Sequence, residues 1–180
     1  MLSTAEQRTV TVIDAAISEF AKTGYLGTPT ASVATRAAIS TAYVFKLFPT
    51  KEKLFVAALD RCFERVVAAL TEGADAAKSQ SPDDVLDSMG EAYARLISDR
   101  ELLMLQVHAQ SAADVPEIGD ALRRGLQAVT EYAKSRSRAD DASVQRFVAY
   151  GQLCHLIVTT NIEDATSPWA TLLTDGIRHY

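Results

Sequence analysis

What this 180-residue sequence has little of already narrows its class. It holds two cysteines, Cys62 and Cys154, far apart and in apolar helical surroundings. So sparse a pair makes no disulfide framework and has no metal-ligand spacing. Two buried, inert thiols is the ordinary reading of such residues. Aromatic residues make up only 7% while alanine recurs throughout, which suits helices packed closely on one another. No apolar run approaches the roughly 20 residues that a membrane-crossing helix needs. The start, Met1-Leu2-Ser3-Thr4-Ala5-Glu6, is polar and lacks the basic-then-apolar order of a secretion signal. A cytoplasmic protein with no membrane partner is therefore expected. With 48% hydrophobic residues the chain can bury a substantial core, as one domain or as a small domain fused to a larger one.

The net charge of −5 speaks against an indiscriminate polyanion binder, but the charge is unevenly spread. Through Leu54 the six cations Arg8, Lys22, Arg36, Lys46, Lys51 and Lys53 face four acids, Glu6, Asp14, Glu19 and Glu52, for +2; the remainder carries −7. A basic head on an acidic body fits a nucleic-acid reader joined to something else.

The apolar periodicity is helical from end to end, with no alternating strand pattern. Val12, Ala16 and Phe20, with Ile13 and Ile17, mark a first helix that Gly24 should end. Thr28-Pro29 reads as an N-cap followed by proline in the first helical position, opening a short helix through about Ala37. Ser40 can cap another short one. Pro49-Thr50-Lys51-Glu52 breaks that helix and opens a long one, in which Leu54, Ala58, Cys62, Val66 and Leu70 recur in fours. After the polar connector Lys78–Ser81, Ser81-Pro82-Asp83-Asp84 repeats the cap-then-proline signal, with acids where the helix dipole favours them. That helix carries Val85, Met89, Tyr93 and Ile97, and Arg100-Glu101 should separate it from an apolar helix containing Leu102, Leu103, Leu105 and Val107. Further helices are expected from Val115-Pro116 to about Arg136, from about Ala142 to Asn161, and from Ser167-Pro168 to Ile177. The expected fold is all-α, with about nine helices: three short ones, then six that build a bundle.

Two short helices joined by a tight turn, the second preceded by a cap, is the geometry of a helix-turn-helix, whose second helix enters the major groove. Val33, Ala34, Ala37, Ile39, Val44 and Phe48 supply apolar groups at spacings that lock such a pair together. Thr41, Ala42, Tyr43 and Lys46 are left to point outward from the second helix.

The residues Gly24-Tyr25, Thr28, Val33-Ala34, Ala37-Ala38-Ile39-Ser40, Ala42, Val44-Phe45, Phe48, Lys51-Glu52 and Leu54 carry a further signal, with Ala15-Ala16 and Phe20 upstream. In register and without a gap, this pattern resembles the TetR family of transcriptional regulators. The resemblance implies a DNA-binding domain over residues 1–50 and a ligand-binding and dimerisation domain over 51–180. It implies a DNA-facing set of Thr28, Thr30, Ser40, Thr41, Ala42, Tyr43, Phe45, Lys46 and Lys51. Within that set Thr41, Ala42 and Tyr43 would face base edges, and Thr30, Lys46 and Lys51 would hold phosphates. Lys51 has independent support, because a cation beside the free amides of a helix start makes an anion site. A merely solvated helix start for Lys51-Glu52 and a half-buried aromatic for Tyr43 remain alternatives, and Arg36 reads as a solvated or backbone-steering charge. The sequence departs from the family at four positions. The turn glycine is Ala38, where a left-handed backbone costs about 1–2 kcal/mol unless the turn is built differently. The glycine facing a base is Ala42, whose methyl can meet a thymine methyl. The phosphate-binding tyrosine is Phe45, and the aromatic or histidine before Phe48 is Leu47.

For the body, the resemblance implies a helical bundle with an effector cavity and a homodimer formed through the last two helices. The stretch Val144–Ile162 supports this separately, being apolar around more than one face through Phe147, Val148, Tyr150, Leu153, Cys154, Leu156, Ile157 and Val158. A fully interior helix of a monomer is the alternative. Candidates for lining an effector site are Met89, Tyr93, Met104, His108, Phe147, Tyr150 and His155, apolar walls with a few polar handles. Each is equally at home in a plain core. The effector expected is a small apolar or amphipathic molecule, and neither cofactor nor metal is called for. No nucleophile elbow, phosphate loop, Glu-x-x-His pair or Cys/His cluster is present to suggest an enzyme. The function expected is a sequence-specific transcriptional regulator, a repressor released from a palindromic operator by its effector. A helical enzyme or carrier and a protein-interaction adaptor are the rivals.

Overall fold

The computed structural model describes residues 4–177, and every regular element among them is helical. In chain order these are α1 (Thr4–Gly27), α2 (Thr30–Arg36), α3 (Thr41–Leu47), α4 (Lys51–Asp75), α5 (Pro82–Ile97), α6 (Arg100–Ser111), α7 (Pro116–Ser137), α8 (Asp141–Thr160), a single 3-10 turn (Ile162–Asp164) and α9 (Pro168–Thr174). The starts follow local chemistry. The Ser40, Ser81 and Asp140 side chains accept from the backbone amides of Tyr43, Asp84 and Ser143, satisfying donors that a helix start leaves unpaired. Thr50 does the same for α4 by accepting from the Lys53 amide at 3.2 Å. Leu54, Ala58, Cys62, Val66 and Leu70 of α4 are all buried, so their fourfold spacing marks one continuous inward stripe.

The chain packs as two units. The first comprises the residues up to Glu64 together with Arg100–Leu126. In it α1 lies along α6 and against α2, and α2 packs on α3. Its core includes Val12, Ala16, Phe20, Val33, Val44, Phe55, Leu59, Leu103 and Ile118. The Phe20 and Phe55 rings meet edge-on at 4.8 Å, and Tyr25 adds a second edge contact to Phe55 at 5.6 Å. The second unit comprises Arg65–Asp99 and the chain from Gln127 onward. Val66, Leu70 and Ala74 of α4 pack there with Val85, Leu86 and Met89 of α5, Ala133 of α7 and Val144 of α8. Gly73 makes this close approach feasible, since a Cβ on it would stand 2.5 Å from the Ser88 carbonyl oxygen and 2.8 Å from the Ala92 Cβ. A smaller cluster of Ile157, Ile162 and Ala170 joins α8, the 3-10 turn and α9. Both cysteines are buried as thiols, not disulfides, and the Cys62 thiol donates to the Leu102 carbonyl at 3.5 Å.

Several boundaries differ from the sequence expectation. The first helix is long, not short; Gly24 interrupts it with φ 71° and ψ −174°, and one further turn follows to Gly27. Thr28 is not a cap. The residue before α2 is Pro29, which has no side-chain hydrogen bond to offer, and the buried Thr28 hydroxyl is spent on Thr23 Oγ1 at 2.7 Å and the Glu19 carbonyl at 3.2 Å. Arg100-Glu101 begins α6 instead of separating it from α5; the break falls at Ser98-Asp99. The last helix stops at Thr174, three residues short of Ile177, and Gly176 follows in the left-handed region. No helix among the described residues is long and apolar enough to cross a membrane.

Candidate nucleic-acid interface

The geometry of the head is set by the turn between α2 and α3. The Ile39 amide donates to the Ala34 carbonyl at 3.0 Å and the Ala38 amide to the Thr35 carbonyl at 3.1 Å. These are the paired bonds of a Schellman motif, which requires its C′ residue to be left-handed. That residue is Ala38, with φ 54°. The left-handed backbone anticipated at this position is therefore present without the glycine that usually carries it. Val33, Ala34, Ala37 and Val44 are buried beneath the turn, and Ile39 and Phe48 are partly so, as their spacing suggested.

With Val44 inward, the 100° step per residue turns Ala42 and Lys46 outward, flanked by Tyr43 and Phe45. Ala42 and Lys46 are exposed, Tyr43 and Thr41 are half-buried, and Phe45 keeps 43% of its surface in solvent. The Lys46 ammonium stands 6.0 Å from the Tyr43 ring centre, and no ion pair to Lys46 is formed among the described residues. Ser40 is occupied as the cap of α3, and Thr30, in the first turn of α2, is buried.

At the start of α4, Lys51, Glu52 and Tyr25 form a small cluster that the sequence motifs contain but do not pair. The Tyr25 hydroxyl donates to a Glu52 carboxylate oxygen, the Lys51 ammonium lies 5.0 Å from the Tyr25 ring centre, and it donates to the Leu26 carbonyl at 3.4 Å. Burial and the Glu52 carboxylate push the Tyr25 phenol up to about 12. The Tyr25 hydroxyl and bonds from the Glu52 amide and Thr50 hold the Glu52 carboxyl below its ordinary range, and partial desolvation lowers Lys51. Lys51 is thus a tethered cation at the head of a 25-residue helix. Arg36 is committed elsewhere, to Glu19 at 3.6 Å and Glu101 at 3.8 Å, while Glu19 also holds Lys22 at 2.6 Å. Of the nine DNA-facing candidates, then, Ala42, Phe45 and Lys46 are exposed and Thr41, Tyr43 and Lys51 partly so. Thr28 and Thr30 are buried, and Ser40 serves the helix start.

The effector candidates do not come together as one group. Met89, Tyr93, Phe147, Tyr150 and His155 belong to the second unit, whereas Met104 and His108 sit on α6 in the first. His108 packs against Gly24, where a Cβ would stand 2.9 Å from its Nδ1. In the second unit the Tyr93 hydroxyl and His155 Nε2 are 2.5 Å apart, His155 Nδ1 is buried without a partner among the described residues, and desolvation lowers this imidazole to about 4. The Phe147 and Tyr93 rings pass over Gly90 and Gly151, at 3.9 and 3.7 Å from where a Cβ would be, an ordinary contact distance. Tyr150 is exposed instead of lining a wall. An open groove of about 480 Å³ runs along α7 and α8 through Thr130, Lys134, Asp141, Val144, Gln145, Val148 and Ala149, and none of the seven candidates lines it. No group of three or more His, Cys, Asp or Glu side chains is arranged to hold a metal among the described residues.

The sequence pattern described as bacterial regulatory proteins, tetR family, matches residues 12–58. No curated protein sequence matches significantly. Solved structures of the same fold include a TetR-like transcriptional regulator from Rhodococcus sp. RHA1 at 21% identity, with a TM-score of 0.68 over 96% of this chain and 94% of that one. A transcriptional regulator from Pseudomonas aeruginosa PAO1 is 18% identical, with a TM-score of 0.70 over 97% and 92%. The regulator FadR from Bacillus subtilis, solved in complex with stearoyl-CoA, is 16% identical, with a TM-score of 0.67 over 94% and 99%.

Proposed function

Its 12–58 segment matches the bacterial regulatory proteins of the tetR family and its fold is theirs, and from this premise we propose that the chain is a TetR-type repressor released from a palindromic operator by a small effector. The observation that carries this reading is the accessible α3. A seven-residue helix held on a buried apolar bed leaves Ala42, Phe45 and Lys46 exposed and Thr41 and Tyr43 partly so, and Lys51 opens the helix that follows. That is the arrangement a major-groove reader needs, with base contacts from the start of the helix and cations on the phosphates.

The functional division we propose is DNA reading within residues 1–50 and sensing and dimerisation within 51–180. A homodimer through α8 and α9 is supported by the apolar surface these helices leave uncovered: Tyr150 and Leu156 on α8, Trp169 and Leu172 on α9. Two heads so joined would read half-sites one helical turn, or a small multiple of it, apart. An effector preferring a differently spaced dimer would lower operator affinity, because ligand and operator select different conformations. That a protein of this fold was solved with stearoyl-CoA supports an amphipathic effector. Met89, Tyr93, Phe147 and His155 are the residues through which the second unit would take part.

The test is binding of the purified chain to its own upstream DNA and to a pool of genomic fragments. Salt-sensitive, sequence-dependent retention is expected; retention of no sequence over any other refutes the reading and favours an adaptor or enzyme.

A further inference from the structure

α3 carries methyl and aromatic groups where a hydrogen-bonding reader would carry amides or guanidinium groups. We propose that the operator half-site is specified chiefly by thymine 5-methyl groups, packed against the Thr41 and Ala42 methyls and the Phe45 ring. The proposal rests on α3 being the groove-entering helix, as argued above.

The major groove distinguishes bases through a small set of pairings. Arg or Lys bind guanine O6 and N7, Asn or Gln bind adenine N6 and N7, Asp or Glu accept from cytosine N4, and apolar groups meet the thymine methyl. The sequence of α3, Thr-Ala-Tyr-Val-Phe-Lys-Leu, contains none of the amide or acidic readers and no arginine. Its one cation, Lys46, is the side chain expected on a phosphate and cannot make the bidentate fork of an arginine to guanine. Arg36, the sole arginine of α2, is engaged by Glu19 and Glu101. The Ser40 side chain accepts from the Tyr43 amide. What remains is two hydroxyls, on Thr41 and Tyr43, neither of which can form the bidentate pair that singles out guanine or adenine, and an apolar surface.

That surface is well placed for a methyl group. Ala42 and Phe45 are one turn apart and so share a face of α3, and the Phe45 ring leaves 43% of its area in solvent. Of the four bases only thymine offers an apolar group in the major groove. Lys46 on α3 and Lys51 at the start of α4 are the cations available for the phosphates of the groove edge. A duplex with thymines opposite α3 therefore buries the ring against methyl groups, with the Thr41 and Tyr43 hydroxyls or water left to meet the thymine O4 and adenine N6 and N7 edges.

The experiment uses the full chain and a randomised duplex pool, from which bound sites are selected and aligned. Selected half-sites are then remade with uracil for each thymine, which deletes only the methyl, and with 7-deazaguanine for each guanine, which deletes the N7 acceptor. Uracil at the contacted positions should weaken binding about fourfold each, the worth of one buried methyl-sized group, while 7-deazaguanine should change it less than twofold. Ala42→Gly should lose affinity for the thymine duplex and lose much less for the uracil duplex. This cycle cancels any helix destabilisation by glycine, which affects both duplexes alike. Full tolerance of uracil together with a tenfold or greater loss on 7-deazaguanine overturns the proposal while leaving the DNA-reading function intact. If no sequence is enriched at all, both fail.

Discussion

Replacing Ala38 with glycine relieves the one conformational cost that the head visibly carries. Ala38 sits at φ 54°, held there by the Ile39-to-Ala34 and Ala38-to-Thr35 bonds. For a residue with a Cβ this region costs about 1–2 kcal/mol, and glycine would remove that cost. Glycine also widens the unfolded ensemble, which returns about 0.4–1 kcal/mol. The Ala38 methyl is exposed, so its loss forfeits little packing. The expected net gain is about 0.5–1 kcal/mol, or a rise in Tm of about 1–4 °C for a chain of this size. Thermal unfolding followed by circular dichroism, at fixed protein concentration, measures it. Gly24→Ala is the companion experiment: φ 71° would then carry a Cβ 2.9 Å from His108 Nδ1, and Tm should fall by several degrees. A lower Tm for Ala38→Gly, with no fall for Gly24→Ala, refutes the assignment of strain to these turns.

Three further outcomes are expected. Lys51→Ala should weaken binding to all sequences evenly and flatten the salt dependence by about one unit of slope per subunit, whereas Tyr43→Ala should alter sequence preference; both are read from titrations at several salt concentrations. Leu172→Glu should raise the dimer dissociation constant on the order of a hundredfold, since two copies each lose a large apolar contact, as measured by sedimentation. His155 is held at about 4 by burial, below its unfolded value of about 6.5, so its contribution is fully present above pH 6.5 and disappears as pH falls toward 4. Wild type should therefore lose up to about 3 kcal/mol more than His155→Gln over that window, as read by urea unfolding at each pH; parallel curves for the two proteins would contradict it.

What the sequence revealed was local. The fourfold stripe of α4, the caps at Ser40 and Ser81, and the bed of Val33, Ala34 and Val44 under α3 were all legible, because each depends on neighbours a few residues away. Ala38 was legible as a problem, and the turn confirms it as one. Thr28 was misread because its composition suits a cap, while its tertiary partners, Thr23 and Glu19, claim the hydroxyl. Pairings across long sequence separations left no periodic trace. Tyr25 with Glu52, Arg36 with Glu101, and Tyr93 with His155 join residues that no local rule brings together. The same holds for Gly73, whose need to be glycine comes entirely from Ser88 and Ala92 on another helix.

The uncovered surface of α9 has a spectroscopic consequence. Trp169 is the only tryptophan in the chain, and 58% of it is exposed. Selectively excited tryptophan fluorescence therefore reports on this one patch without a label. If a second copy covers it, emission should shift to the blue with rising concentration and back to the red on dilution, tracing assembly directly. A wavelength that stays at its solvent-exposed value across the whole concentration range would mean that the patch is never covered.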